Sequence, residues 1–229
     1  MSKLQIVFVL YPGVTHLDFT GPHQVLVRTP NAQVTVASMG GQDIEAEGLV
    51  FTKLADLAKI ERCDVLCIPG GFGTTDAMMD EAFMAEVRRL GAGATYQTSV
   101  CTGSLILGAA GFLQGREAAT HWAWRDLLPT FGARVSEARV SRDGNVITGG
   151  GVTAGIDFAL VLLEELAGRD YAEATQLGLE YAPAPPFNAG RPELARHEVL
   201  AQVKARMAAI VEDRASAAAD AASRMAQPA

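Results

Sequence analysis

The chain has 229 residues, 49% of them hydrophobic and 20% charged, with a formal net charge of −7. This balance suits the core of one large α/β domain or two small ones, and the acidic total argues against a nucleic-acid partner, which needs a basic face. No run approaches the roughly 20 apolar residues of a membrane span, Met1-Ser2-Lys3 lacks a signal peptide's apolar region, and three cysteines make no disulfide framework, so a reduced cytoplasmic protein is expected.

Residues 5–10 form a continuous apolar run, the mark of a strand buried on both faces. Tyr11-Pro12-Gly13 ends it, and Asp18 then sets a carboxylate just past the strand's C-terminal end. A helix should run on to about Val27, with Pro22 tolerated in its first turns. Pro30-Asn31 turns the chain into a second strand over 33–38; 43–52 alternates around Gly48 as an antiparallel ribbon, and 54–59 suggests a short helical turn. The next buried strand, 64–68, is broken by Pro69-Gly70-Gly71-Phe72-Gly73, where adjacent glycines let the backbone approach a ligand and present its N–H groups. A helix is predicted over 75–90, with Met78, Met79, Phe83 and Val87 near one face.

The stretch around Cys101 organises the rest. A β-branched strand, 95–100, leads into Cys101-Thr102-Gly103-Ser104 and then a short apolar helix ended by Gly111. A cysteine wedged between strand and helix and followed by small residues is the sulfur version of a nucleophile elbow. The turn lifts the thiol above the sheet edge, and the helix N-terminus should favour the thiolate. Residues 120–128 follow as a helix with Thr120 as N-cap. Asp143-Gly144 marks a hairpin between 139–142 and 146–148, and Gly149-Gly150-Gly151 precedes an apolar helix over 153–167 that carries Asp157. Another helix covers 170–180 and stops before Pro183-Ala184-Pro185-Pro186. The last helix covers about 192–214, with a stripe of Leu200, Val203, Met207 and Ile210, and leaves an alanine-rich tail expected to fray.

Alternating strands and helices imply one α/β domain over 1–229, a mostly parallel sheet with helices on both faces. Ligands of such sheets bind outside the carboxyl ends of the strands. Asp18, Gly70-Gly71, Cys101 and Gly149-Gly150-Gly151 all fall at that edge. Cys63 and Cys67 lack a matching Cys/His pair, so no metal is expected there. His16 and His23 flank Asp18, His121 and Trp122 are assigned to packing, and Asp157 to capping or bonding nearby backbone.

Pro69-Gly70-Gly71, Cys101-Thr102-Gly103-Ser104, Thr120-His121-Trp122 and Gly149-Gly150-Gly151 together resemble the ThiJ/PfpI superfamily, relatives of the class I glutamine amidotransferases. Residues 18–23, 98–122, 148–160 and 179–190 are most similar to the bacterial isocyanide hydratases within it. The resemblance implies a flavodoxin-like homodimer that hydrates isocyanides to N-formamides with neither metal nor organic cofactor. It casts Cys101 as nucleophile, Asp18 as acid/base and Thr102 as support for the thiolate. Gly70, Gly71 and Val152 are expected to face the substrate, with the Gly71 N–H as second donor to developing charge. Many superfamily members carry glutamate where Asp18 stands; the shorter aspartate leaves room for a substrate and favours hydration over deglycase, glyoxalase or redox-sensing roles. Protease-like members place histidine directly after the cysteine, and Thr102 stands there instead. A regulator built on this domain would need a further basic helix-turn-helix region, so the expected partners are a small isocyanide and water.

Overall fold

The protein is described by a computed structural model over residues 3–225. In chain order it begins with β1 (Leu4–Val9), α1 (His16–Leu26) and β2 (Ala32–Ser38). The ribbon β3 (Ile44–Ala46) and β4 (Leu49–Phe51), the short β5 (Ala55–Asp56) and β6 (Val65–Ile68) follow. Then come α2 (Thr74–Met79), α3 (Glu81–Gly93), β7 (Tyr96–Val100), α4 (Gly103–Ala109) and β8 (Glu117–Ala118). A 3-10 helix (Trp122–Phe131), β9 (Arg134–Val135), β10 (Val140–Asp143) and β11 (Val146–Gly149) lead to α5 (Ala154–Ala167), α6 (Arg169–Gly178) and α7 (His197–Met225).

Among the described residues, seven strands form one sheet in the order β10-β11-β7-β6-β1-β2-β5. All neighbours are parallel except the β10–β11 hairpin, whose turn uses Gly144 at φ 63°. Successive residues of a strand face opposite sides, and Ile6–Val9, Val65–Ile68 and 97–100 are buried without a break. Both sides of the sheet are therefore covered. α1, α5 and α6 pack as one group, and α2, α3, α4, α7 and the 3-10 helix as another. The chain leaves β1 toward β2 on one side and later places β6 and β7 on the other, so strand order reverses beside β1. That switch point is where an open α/β sheet makes its crevice. The loops after β1 and β6 are joined there by a bridge between Val14 and Gly71 and by a 2.9 Å bond from Thr15 N–H to the Gly70 carbonyl.

Several local expectations change. The helix over 75–90 is two helices, because Asp80 ends α2 and caps α3, its Oδ1 accepting from Ala82 and Phe83 N–H. The turn over 54–59 splits into β5, which pairs with β2, and a 3-10 turn at Leu57–Lys59. Thr120 is not a cap; His121 Nδ1 accepts from Ala123 N–H at 3.3 Å in that place. In α1, Gly21 and Pro22 pack on Ile156 and Gly155 of α5. The last helix starts at His197 rather than 192 and does not fray after Arg214: Arg214, Ala217, Ala218 and Ala221 are all buried. Small alanine side chains let α7 settle closely against α2, α4 and the 3-10 helix.

Candidate active site

Cys101 sits between β7 and α4 with φ 56°, a left-handed conformation that costs a non-glycine residue about 1–3 kcal/mol. Its surroundings hold it there from both ends. Its N–H donates to the Gly149 and Gly150 carbonyls at 3.1 and 2.7 Å. Its carbonyl accepts from Thr120 Oγ1 at 2.9 Å and from Ser104 Oγ at 3.1 Å. The glycines after β11 thus offer carbonyls to the elbow, not a nest of N–H groups. Gly103 lets the elbow press on β6, since a Cβ there would lie 2.1 Å from the Ile68 carbonyl oxygen.

The acid comes from the neighbouring loop. Asp18 lies in the first turn of α1, 1% exposed, and its Oδ2 accepts from Gly70 N–H at 2.9 Å. Its Oδ1 is buried with no hydrogen-bond partner. Gly70 is the hinge between acid and elbow: a Cβ there would meet Thr102 N at 2.5 Å and Asp18 Oδ2 at 2.8 Å. Gly71 N–H donates to Thr102 Oγ1 at 3.0 Å and so is not free to meet a substrate as expected. Thr74 Oγ1 donates to the Gly71 carbonyl at 2.8 Å, and it also lies 2.7 Å from Thr102 Oγ1. A hydroxyl has one proton to give, and that of Thr102 has two acceptors in reach, Thr74 Oγ1 and the Gly71 carbonyl at 3.3 Å. The Thr102 hydroxyl is therefore committed away from the sulfur, and its backbone N–H is the group that meets Cys101.

Burial raises the Asp18 carboxyl to about 7; the Gly70 N–H and the thiol pull the other way, and Glu47 adds to the rise. The Cys101 thiol is pushed well above its ordinary value by burial and by the Asp18 carboxylate, against the Thr102 N–H and Arg214. The depressed thiol expected from the helix N-terminus is thus not what the folded chain shows, because seven residues of α4 cannot offset complete burial beside an anion. The two groups act as one coupled pair.

A family model described as DJ-1/PfpI matches residues 4–165. The chain belongs to the DJ-1/PfpI family. It is 50% identical over 206 residues, 90% of each chain, to the isonitrile hydratase of Pseudomonas putida. A crystal structure of a ThiJ/PfpI family protein from Pseudomonas syringae superposes with a TM-score of 0.92 at 41% identity, covering 95% of this chain and 91% of that one. Protein dj-1beta of Drosophila melanogaster is 29% identical over 185 residues, 78% of this chain and 97% of its own.

In this DJ-1/PfpI chain the elbow opens on a cavity of about 400 Å³ that Cys101 and Thr102 line together with Phe72, Trp124, Val152, Met207 and Arg214. Of the residues expected to face the substrate, Val152 and Gly71 line this cavity. His16 also lines the cavity and pairs with Glu47 of the ribbon turn, whereas His23 packs on Phe8 with ring centroids 5.7 Å apart. His121 lines it too, and burial with Arg214 and Arg125 nearby lowers it to about 4, so its imidazole is neutral. Asp157 does not cap: it accepts from Arg139 Nε at 2.7 Å and Tyr181 Oη at 2.9 Å, which ties the segment after α6 to α5. Cys63 and Cys67 are buried thiols away from the cavity, and Thr98 Oγ1 donates to Cys67 Sγ at 3.3 Å. Trp124, Met207 and Arg214 were missed from sequence. Met207 and Arg214 are seven apart and extend the stripe already visible on the last helix, which was the available signal.

Proposed function

We propose that the protein hydrates an isocyanide to the matching N-formamide through a covalent intermediate on Cys101. One observation supports this reading: a buried thiol that lines a cavity has a buried carboxyl beside it with which it can exchange a proton. Likeness to the isonitrile hydratase supports the substrate class.

An isocyanide accepts a nucleophile and then a proton on the same terminal carbon. The Cys101 thiol passes its proton to Asp18, the sulfur forms the S–C bond, and the carbon's new lone pair takes that proton from Asp18. A carboxyl raised to about 7 is basic enough to hold the proton between the two transfers. The resulting thioimidate adds water at carbon. Asp18 takes one water proton, the other ends on nitrogen, and collapse breaks the S–C bond to release formamide and thiolate. Thr102 N–H steadies the sulfur at both ends of the cycle. Val152, Phe72 and Trp124 keep the substituent in an apolar setting. The steps need no metal or organic cofactor.

The test is formamide production from an alkyl isocyanide by the purified protein, followed by chromatography, with a thioimidate mass adduct sought on the Cys101 peptide. Cys101→Ala should abolish turnover. Equal isocyanide consumption by wild type and variant overturns the reading, and glyoxal consumption in its place would move the protein to the deglycases.

A further inference from the structure

Among the described residues, Arg214 is the largest fully buried side chain, 1% exposed. It lies on α7 and reaches the loop after β6. Its Nη2 donates to the Gly71 and Phe72 carbonyls at 3.0 Å each, and its Nε to Thr75 Oγ1 at 3.2 Å. The guanidinium carbon stacks 4.2 Å from the ring centre of Trp124. Nη1 makes no hydrogen bond and no carboxylate forms a salt bridge with the group, among the described residues. A buried cation of this kind costs several kcal/mol unless an anion answers it. Two acidic groups line the cavity with Arg214: Glu47, which pairs with His16, and Cys101 at the site of reaction.

We propose that Arg214 is a positioning residue that lowers the cost of ionising Cys101, so that the proton the thiol shares with Asp18 can pass to the carboxyl when substrate is attacked. The inference rests on the hydration reading for its purpose, since that chemistry needs an anionic sulfur and a protonated acid together. The guanidinium shares the Gly71 carbonyl with Thr74 and Thr102, so its position is fixed to the same backbone that adjoins the elbow. Arg214 and Cys101 line the same cavity, whose lining does not include Asp18. A positive charge placed on the sulfur's side of the pair eases ionisation of the thiol more than that of the carboxyl. The other groups facing the pair do not supply it: His121 is neutral, Tyr11 is a buried phenol pushed up by burial, and His16 is paired with Glu47.

The experiment reads the thiol directly, as the pH dependence of Cys101 alkylation by iodoacetamide, without any isocyanide. Arg214→Gln should move the midpoint up by at least about one pH unit, and slow alkylation at pH 7 about tenfold. Arg214→Lys, which keeps the charge, should recover most of that loss. Thr75→Asp leaves Arg214 in place but sets a carboxylate beside its Nε, so it should raise the midpoint in the same direction; it decides the matter if Arg214→Gln does not fold. An unshifted midpoint in folded Arg214→Gln or in Thr75→Asp overturns the proposal, and equal loss in the Gln and Lys variants reduces Arg214 to a packing role. Formamide assays run in parallel separate the two readings. An active wild type with an unshifted midpoint overturns only the role of Arg214, and an inactive wild type with a shifted midpoint overturns only the hydration.

Discussion

At the scale of single residues, the acid is the group whose environment does most. Asp18 has a folded pKa near 7 against an ordinary 3.8. Between those values the folded chain holds a proton that the unfolded chain has lost, so stability falls as pH rises through this window and is fully lowered above about 7. The difference of about 3 units corresponds to on the order of 4 kcal/mol. Asp18→Asn removes this penalty while its amide oxygen can still accept from Gly70 N–H. The variant should therefore melt above wild type at pH 8.5, with the gap closing toward pH 4, as followed by circular dichroism. Its turnover should be nearly abolished at every pH, because an amide exchanges no proton with carbon. A wild type that outlasts Asp18→Asn at pH 8.5 would show that burial does not raise this carboxyl.

At the scale of elements, the elbow is held by contacts from parts of the chain that follow it. Thr120 precedes the 3-10 helix and grips the Cys101 carbonyl from 19 residues away. Thr120→Val keeps the shape and removes the donor, costing about 1 kcal/mol, or roughly 2–4 °C in melting temperature for a chain of this size. It should also lower turnover, since the cysteine's left-handed backbone loses a restraint; unchanged kinetics would assign that restraint to the glycine carbonyls alone. Much of this layer was legible in the sequence. Buried parallel strands read as unbroken apolar runs, and Cys101-Thr102-Gly103 with Pro69-Gly70-Gly71 marked the edge where chemistry gathers. Periodicity alone could not show that Asp80 interrupts an apolar stripe that continues across it. Thr120 has the residue type of a cap, and only the fold turns its hydroxyl toward Cys101. A lone arginine in an alanine-rich stretch reads as a solvated charge, so Arg214 stayed hidden until α7 was seen packed over the loop after β6. The Gly71 N–H was assigned to a substrate because nothing local announces that Thr102, 31 residues on, takes it first.

At the scale of the whole molecule, we propose a homodimer. The first helix packs on α5 of the same chain, and the exposed apolar side chains include Leu49 and Val50 on the ribbon, Phe72 after β6, and Leu177 and Phe187 at the end of α6 and beyond. Light scattering at micromolar concentration should give twice the 24.2 kDa of one chain, and a single-chain mass would remove the proposal. No described helix is long and apolar enough to cross a membrane. The bonds that assemble the site also fix when it can exist. Asp18 meets Gly70 across 52 residues, Gly71 meets Thr102 across 31, and Arg214 meets Gly71 across 143. Each such closure is entropically slow to form and none is local. A ribosome carrying this chain has therefore released the cysteine's strand and helix well before the arginine that faces them emerges. The thiol, its acid and its backbone donor are all made while the arginine is still to come, and the cavity that the thiol shares with it closes only when the last helix has docked.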